Sequence, residues 1–174
     1  MNLLEDSIPK LVKKIALPAS VGTLFQTLYN IVDTFFAGKI SAEALSALTK
    51  SFPIYFIIIA TSIGVTVAGT SLIANSIGEK DKNKILFYFT NTLYYGLIIS
   101  IVITLIGLFF AKKVFFLMGS SNEVINLGTQ YTNTIFAFSV LFILVVSFNS
   151  LLHAEGDTKT YRNALILSFF LNII

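Results

Sequence analysis

Residues 51–78, 85–111 and 124–152 of this 174-residue chain contain no Asp, Glu, Lys or Arg, and between Lys14 and Lys39 the only charged side chain is Asp33. Each run exceeds the ~20 residues that a helix needs to cross a bilayer. At about 1.5 Å per residue, a helix over 85–111 would reach roughly 40 Å, longer than a ~30 Å hydrocarbon core, so such helices tilt or protrude. A fifth apolar run opens at Asn163 and is still apolar at Ile174. The predicted fold class is all-α. It is a polytopic membrane helical bundle with spans at about 12–38, 51–76, 85–111 and 124–152, and the start of a fifth at 163–174.

The same runs exclude much else. A soluble domain with 55% hydrophobic residues would lack polar surface. Its net charge of +3 is small and scattered, which speaks for topology and against a nucleic-acid partner. There is no cysteine, so disulfides, thiolate metal sites and cysteine nucleophiles are all ruled out.

Orientation follows from counting cations by alternate segments. Lys10, Lys13, Lys14, Lys80, Lys82, Lys84, Lys159 and Arg162 fall on one side, and Lys39, Lys50, Lys112 and Lys113 on the other. The positive-inside tendency puts the N-terminus in the cytoplasm of a multi-pass plasma-membrane protein. The first span, preceded by Glu5 and Asp6, is too long for a signal-peptide core and lacks a small-x-small cleavage site, so it is expected to remain as an anchor.

The connections read as turns too short to house a catalytic unit. Ile77-Gly78-Glu79-Lys80-Asp81-Lys82 and Glu155-Gly156-Asp157-Thr158-Lys159 combine Gly with charge. Ser41–Leu48 is expected as a short helix capped by Ser41, with Pro53 in the first turn of the second span. Ala60, Gly64 and Ala68 form a small-xxx-small ridge, the usual mark of close helix packing.

Functional chemistry concentrates in the first span. At about 100° per residue, Ser20, Thr23, Gln26, Thr27, Asn30, Asp33 and Thr34 share one face, and Val21, Leu24, Phe25, Leu28, Ile31, Val32, Phe35 and Phe36 fill the other. That polar face must meet other helices or an aqueous cavity. An ionised carboxylate in the membrane costs at least ~2.5–3.5 kcal/mol, so Asp33 has to be paired, hydrated or protonated. It is suited to exchanging a proton or holding Na⁺. The plainer reading puts Asp33 at the outer interface or a helix end, and makes Gln26 and Asn30 interhelical glue worth about 0.6–2 kcal/mol. Elsewhere Tyr94, Tyr95, Tyr131, Asn133 and Asn149 lie on the third and fourth spans, where tyrosines commonly mark interfaces or fill bundles. A single histidine, His153, makes a weak case for metal.

The run Leu28-Tyr29-Asn30-Ile31-Val32-Asp33-Thr34-Phe35-Phe36-Ala37-Gly38-Lys39-Ile40, with Pro18 and Gln26 before it and Ala44-Leu45-Ser46-Ala47 after it, resembles the first helix and loop of the multidrug and toxic compound extrusion (MATE) family, DinF-like branch. Ala74-Asn75-Ser76-Ile77-Gly78-Glu79-Lys80-Asp81 and Glu155-Gly156-Asp157-Thr158-Lys159-Thr160 resemble its second-to-third and fourth-to-fifth loops, in family order and spacing. Tyr161-Arg162 departs from the family, which often has Pro and an apolar residue there.

The resemblance implies a prokaryotic, twelve-helix, two-lobed secondary transporter that exchanges H⁺ or Na⁺ for small organic, often cationic, compounds, with no cofactor and no metal. It implies ion-coupling roles for Asp33 and Asn172, and places Gln26, Tyr29, Asn30, Tyr131 and Asn149 at positions that line the cavity. Residues 1–174 would be an incomplete N-terminal lobe, a fragment whose C-terminal lobe is missing. Three other readings stand beside this one. A lipid-linked oligosaccharide flippase of the same superfamily would be expected to carry basic residues inside the membrane, and none occur between Lys14 and Lys39 or in residues 51–78, 85–111, 124–152 and 163–174. A membrane-embedded enzyme would need paired carboxylates, a His cluster or an activated nucleophile, and a structural subunit would leave the polar stripe without a role.

Overall fold

The computed structural model describes residues 7–173, so the acidic pair Glu5 and Asp6 lies outside the described residues. Helix α1 (Ile8–Leu11) passes through a single π turn (Val12–Ala16) into α2 (Leu17–Ile40), followed by α3 (Ala42–Gly78), α4 (Lys82–Leu117), α5 (Asn122–Ala137), α6 (Ser139–Ala154) and α7 (Lys159–Ile173). Three continuous helices, Ile8–Ile40, Ala42–Gly78 and Lys82–Leu117, are long and apolar enough to span a membrane, as is the bent pair α5 and α6.

Local chemistry accounts for where the helices start. Ser41 Oγ accepts from Ala44 N at 3.0 Å, and Asp81 Oδ1 accepts from Asn83 N at 3.0 Å and Lys84 N at 3.1 Å. Ser121 Oγ takes Val124 N, and Asp157 Oδ1 takes Lys159 N and Thr160 N. Each cap satisfies amide groups that the first turn leaves free. A hydrogen bond from the Thr160 hydroxyl, at 2.6 Å, and its backbone N–H hold the Asp157 carboxyl below the usual carboxylate range.

The helix ends repeat one device. After α3, Lys80 N donates to Ile77 O and Asp81 N to Ser76 O; the same pair of bonds recurs at Gly119 and Ser120 after α4, and at Gly156 and Asp157 after α6. These are Schellman closures, which need one left-handed residue. Gly119 (φ 65°) and Gly156 (φ 78°) supply it in two of them, but in the first it is Lys80 (φ 58°). Gly78, the glycine that marks this turn in the sequence, belongs to α3.

Two further expectations about helix limits give way. Ser41 caps as anticipated, but no break separates 41–48 from the second span: α3 runs on through Pro53, which lies inside the helix. The fourth span divides at Phe138 with a bend of 46°. There Thr104 of α4 donates to Phe136 O at 2.9 Å and shares a 2.6 Å hydrogen bond with Ser139 Oγ. A neighbouring hydroxyl that enters the carbonyl ladder is an established cause of helix kinking.

Helices α3, α4, α5 and α6 form a mutually packed bundle, while α2 packs mainly on α7 and meets α3. Thr158 Oγ1 donates to Ile15 O at 3.1 Å, which ties the α6–α7 turn to the π turn that leads into α2. At the opposite end Lys50 Nζ reaches Ser120 Oγ at 3.0 Å, joining the start of α3 to the α4–α5 turn.

Polarity in this bundle is arranged for lipid. Ser51, Ser100, Ser139, Ser147 and Ser150 are fully buried, whereas Phe109 is 79% exposed and Phe116 71%. Small residues bring backbones close, and most of the buried hydroxyls return to a carbonyl of their own helix, as Ser62 does to Ile58 O at 2.6 Å. Two glycines receive fully buried rings. A Cβ on Gly107 would clash with the Phe136 ring, and one on Gly128 with Phe115. Gly22 of α2 faces Leu165 and Arg162 of α7, where a Cβ would lie 3.2 Å from Leu165 Cδ1 and 3.4 Å from Arg162 Cα.

The small-residue ridge departs from its expected role. Ala60 and Ala68 are exposed and nothing approaches Gly64 within 4 Å. Gly64 and Ala68 border an open groove of about 590 Å³ between α3 and α4 that also takes in Tyr95.

Three stability measurements follow from this packing. Gly128→Ala must displace Phe115 and is expected to destabilise by about 1–3 kcal/mol, the usual cost of overpacking, read by unfolding in mixed micelles; an unchanged midpoint would contradict the contact. Lys80→Gly removes a left-handed side chain and is expected to stabilise by about 1 kcal/mol in the same assay. Gly22→Leu forces α2 from α7, so amide exchange should accelerate in α7 before α4; uniform acceleration along the chain would refute a local separation.

Candidate functional site

Asp33 sits seven residues before the last residue of α2, well inside the helix and half-buried. It therefore does not cap the helix end. Lys39, one obvious partner by sequence, instead places its ammonium 4.6 Å from the centre of the Phe35 ring. The carboxylate meets α7: Asn172 Nδ2 donates to Asp33 Oδ1 at 2.9 Å, across 139 positions of sequence.

Packing explains why these two residues face each other. Buried Pro18 and Gly22 let the lower part of α2 lie close to α7, and Phe25 stacks edge-on against Phe169, with ring centres 5.4 Å apart. The cap at Asp157 and the tether from Thr158 set the start of α7. About three and a half turns on, that helix delivers Asn172 to Asp33.

The hydrogen bond leaves an imbalance. The amide of Asn172 donates its N–H, but its own Oδ1 is buried without a donor. A carboxylate and an unpaired amide oxygen thus lie side by side, and both are acceptors. A buried acceptor left unpaired costs about 1–3 kcal/mol; a proton or a small cation is the kind of ligand that would offset it. On α5, Thr129 Oγ1 and Asn133 Oδ1 are also buried without a partner.

Aromatic hydroxyls gather in the same field. The charge of Asp33 reaches the phenols of Tyr55 on α3 and Tyr131 on α5, and Tyr131 is also within reach of Tyr29 and Tyr55. Tyr29 and Tyr131 were anticipated as cavity residues; Tyr55 was not, because one tyrosine in an apolar helix carries no distinguishing pattern. Gln26 and Asn30 are exposed on the polar face of α2. Asn149 is buried on α6, and no hydrogen bond among the described residues joins it to Asp33 or Asn172.

Apart from Asp33, the polar face of α2 is uncovered in this chain. Ser20, Thr23, Gln26, Thr27, Asn30 and Thr34 are all exposed. Thr23, Thr27 and Thr34 satisfy their hydroxyls on carbonyls four residues back, while the amides of Gln26 and Asn30 are turned outward. Among the described residues no group of three or more His, Cys, Asp or Glu could hold a metal ion.

Comparison with known proteins agrees with the fold. Residues 18–174 match the MatE family. The chain is 26% identical over 157 residues to the probable multidrug resistance protein YoeA of Bacillus subtilis, covering 90% of this chain and 34% of that protein. It is 24% identical over 173 residues to the FAD transporter of Shewanella oneidensis, covering 99% and 38%. A solved outward-facing multidrug resistance MATE family transporter of the MOP superfamily superposes with a TM-score of 0.88 at 30% identity, covering 94% of this chain and 36% of that one. The chain thus spans about a third of the length of the relatives it matches. Because the family match takes in residues 18–174, nearly the whole sequence, the chain belongs to the MatE family.

Proposed function

We propose that residues 1–174 form part of the N-terminal lobe of a secondary active antiporter that exports small organic compounds in exchange for H⁺ or Na⁺. The observation that carries this reading is the pairing of Asp33 with Asn172, in which the amide oxygen is left without a donor beside a carboxylate. Loading a cation there neutralises the carboxylate and fills the unpaired acceptor. If the two access states of the intact transporter hold that cation with different affinity, its gradient biases their populations, and substrate release is coupled to ion entry.

In this reading the exposed polar face of α2, with Gln26 and Asn30, fronts a water-filled cleft closed by the C-terminal lobe, and Tyr29, Tyr131 and Asn149 contribute to its wall. The cleft carries a carboxylate, and residues 51–78, 85–111 and 124–152 contain no Lys or Arg. Its field therefore favours cationic cargo over an anionic one such as the flavin dinucleotide named for the Shewanella relative. The N-terminus lies in the cytoplasm, as the distribution of Lys and Arg favours, and the bacterial relatives support a prokaryotic source.

The test uses the full-length transporter in proteoliposomes. Asp33→Asn is expected to insert normally and to lose efflux driven by an imposed ion gradient, whereas Asn172→Leu should weaken it. Separate proton and sodium gradients identify the coupling ion. Full gradient-driven efflux by Asp33→Asn would overturn the assignment.

A further inference from the structure

The end of the bundle that carries the α4–α5 turn has a feature with no part in the transport reading. Lys112 and Lys113, with Phe109 and Phe116, form one wall of a concavity of about 510 Å³, and Asn122, Ile125 and Asn126 of α5 form the other. Both lysines are exposed, and no ion pair engages either of them among the described residues. Glu123, the nearest acid in sequence, does not line the concavity.

What lies below it in the membrane is equally specific. Val102, Leu105, Ile106 and Phe109 recur at helical spacing on the same face of α4 and are 49%, 52%, 51% and 79% exposed. That apolar strip leads directly into the lysine pair one turn later. Nonpolar contact along the span, then two ammonium groups and two amides at its end, matches the order of groups in a membrane lipid: acyl chain first, phosphodiester second.

We propose that this concavity binds the headgroup of an anionic glycerophospholipid. Lys112 and Lys113 pair with the phosphodiester, and the amides of Asn122 and Asn126 donate to its oxygens. The partial positive charge at the start of the 16-residue helix α5 adds to the attraction. The acyl chains lie along Val102, Leu105, Ile106 and Phe109. A free phosphate ion would use the lysines but gain nothing from the apolar strip, which is why the lipid is the occupant.

The experiment is native mass spectrometry of the chain extracted from phosphatidylcholine bilayers that contain a minor fraction of phosphatidylglycerol. The parent protein is expected to retain phosphatidylglycerol in preference to phosphatidylcholine. Lys112→Gln combined with Lys113→Gln should reduce that preference about thirtyfold, the scale of two cation contacts near a membrane surface, and Asn126→Leu should reduce it less. Lys80→Gln with Lys82→Gln, at the opposite end, should leave it unchanged. An unaltered preference in the Lys112 and Lys113 double variant and in Asn126→Leu overturns the proposal. An equal loss from the opposite-end pair does the same, because it reports unspecific charge attraction, and displacement by inorganic phosphate would assign the site to free anions instead.

Discussion

Inside a bilayer no water is available to a stray N–H or carbonyl, so each backbone group must find its partner within the protein. The long helices meet most of that demand, and the remaining structure deals with places where they cannot. Ser41, Asp81, Ser121 and Asp157 occupy amides at helix starts, Schellman closures return amides to carbonyls after α3, α4 and α6, and Thr158 supplies a donor to the π turn at Ile15. The bend at Phe138 obeys the same rule, since the Phe136 carbonyl accepts from Thr104 where the helix breaks.

Once the backbone is paired, side chains determine how closely helices approach. Lipid tails do not drive Leu and Phe inward as water does, and large apolar residues accordingly cover the outside while serine, threonine and glycine occupy the contacts. Gly107 and Gly128 accept Phe136 and Phe115, which fixes α4 against α5. Gly22 does the equivalent for α2 and α7 on a smaller scale, and that contact aligns Asp33 with Asn172. The candidate site is therefore a consequence of close packing between two helices that the rest of the bundle leaves to each other.

Much of this could be read along one dimension. The five apolar runs, the cap at Ser41, the charged turns, the polar face of α2 and the isolation of Asp33 all depend on local composition and helical period. Departures arose from the exact register of a local turn and from the approach of distant residues. Lys80 holds the left-handed position because the Schellman bonds of α3 register on it and leave Gly78 inside the helix. Thr104 kinks a helix that begins 18 positions later. Gly64 was expected to seat a neighbouring helix, and the relative rotation of α3 and α4 leaves it beside an open groove.

Span number, helix content and the presence of one costly carboxylate are properties that bilayer thickness and charge solvation impose on a linear string, and they were legible in it. Resemblance named Asn172 alongside Asp33, but the hydrogen bond between them, the unpaired oxygen of Asn172 and the company of Tyr55 could not be read from local pattern. Those depend on how separate helices are rotated and how near they come, and such quantities arise from contacts between helices that no periodicity within one of them encodes.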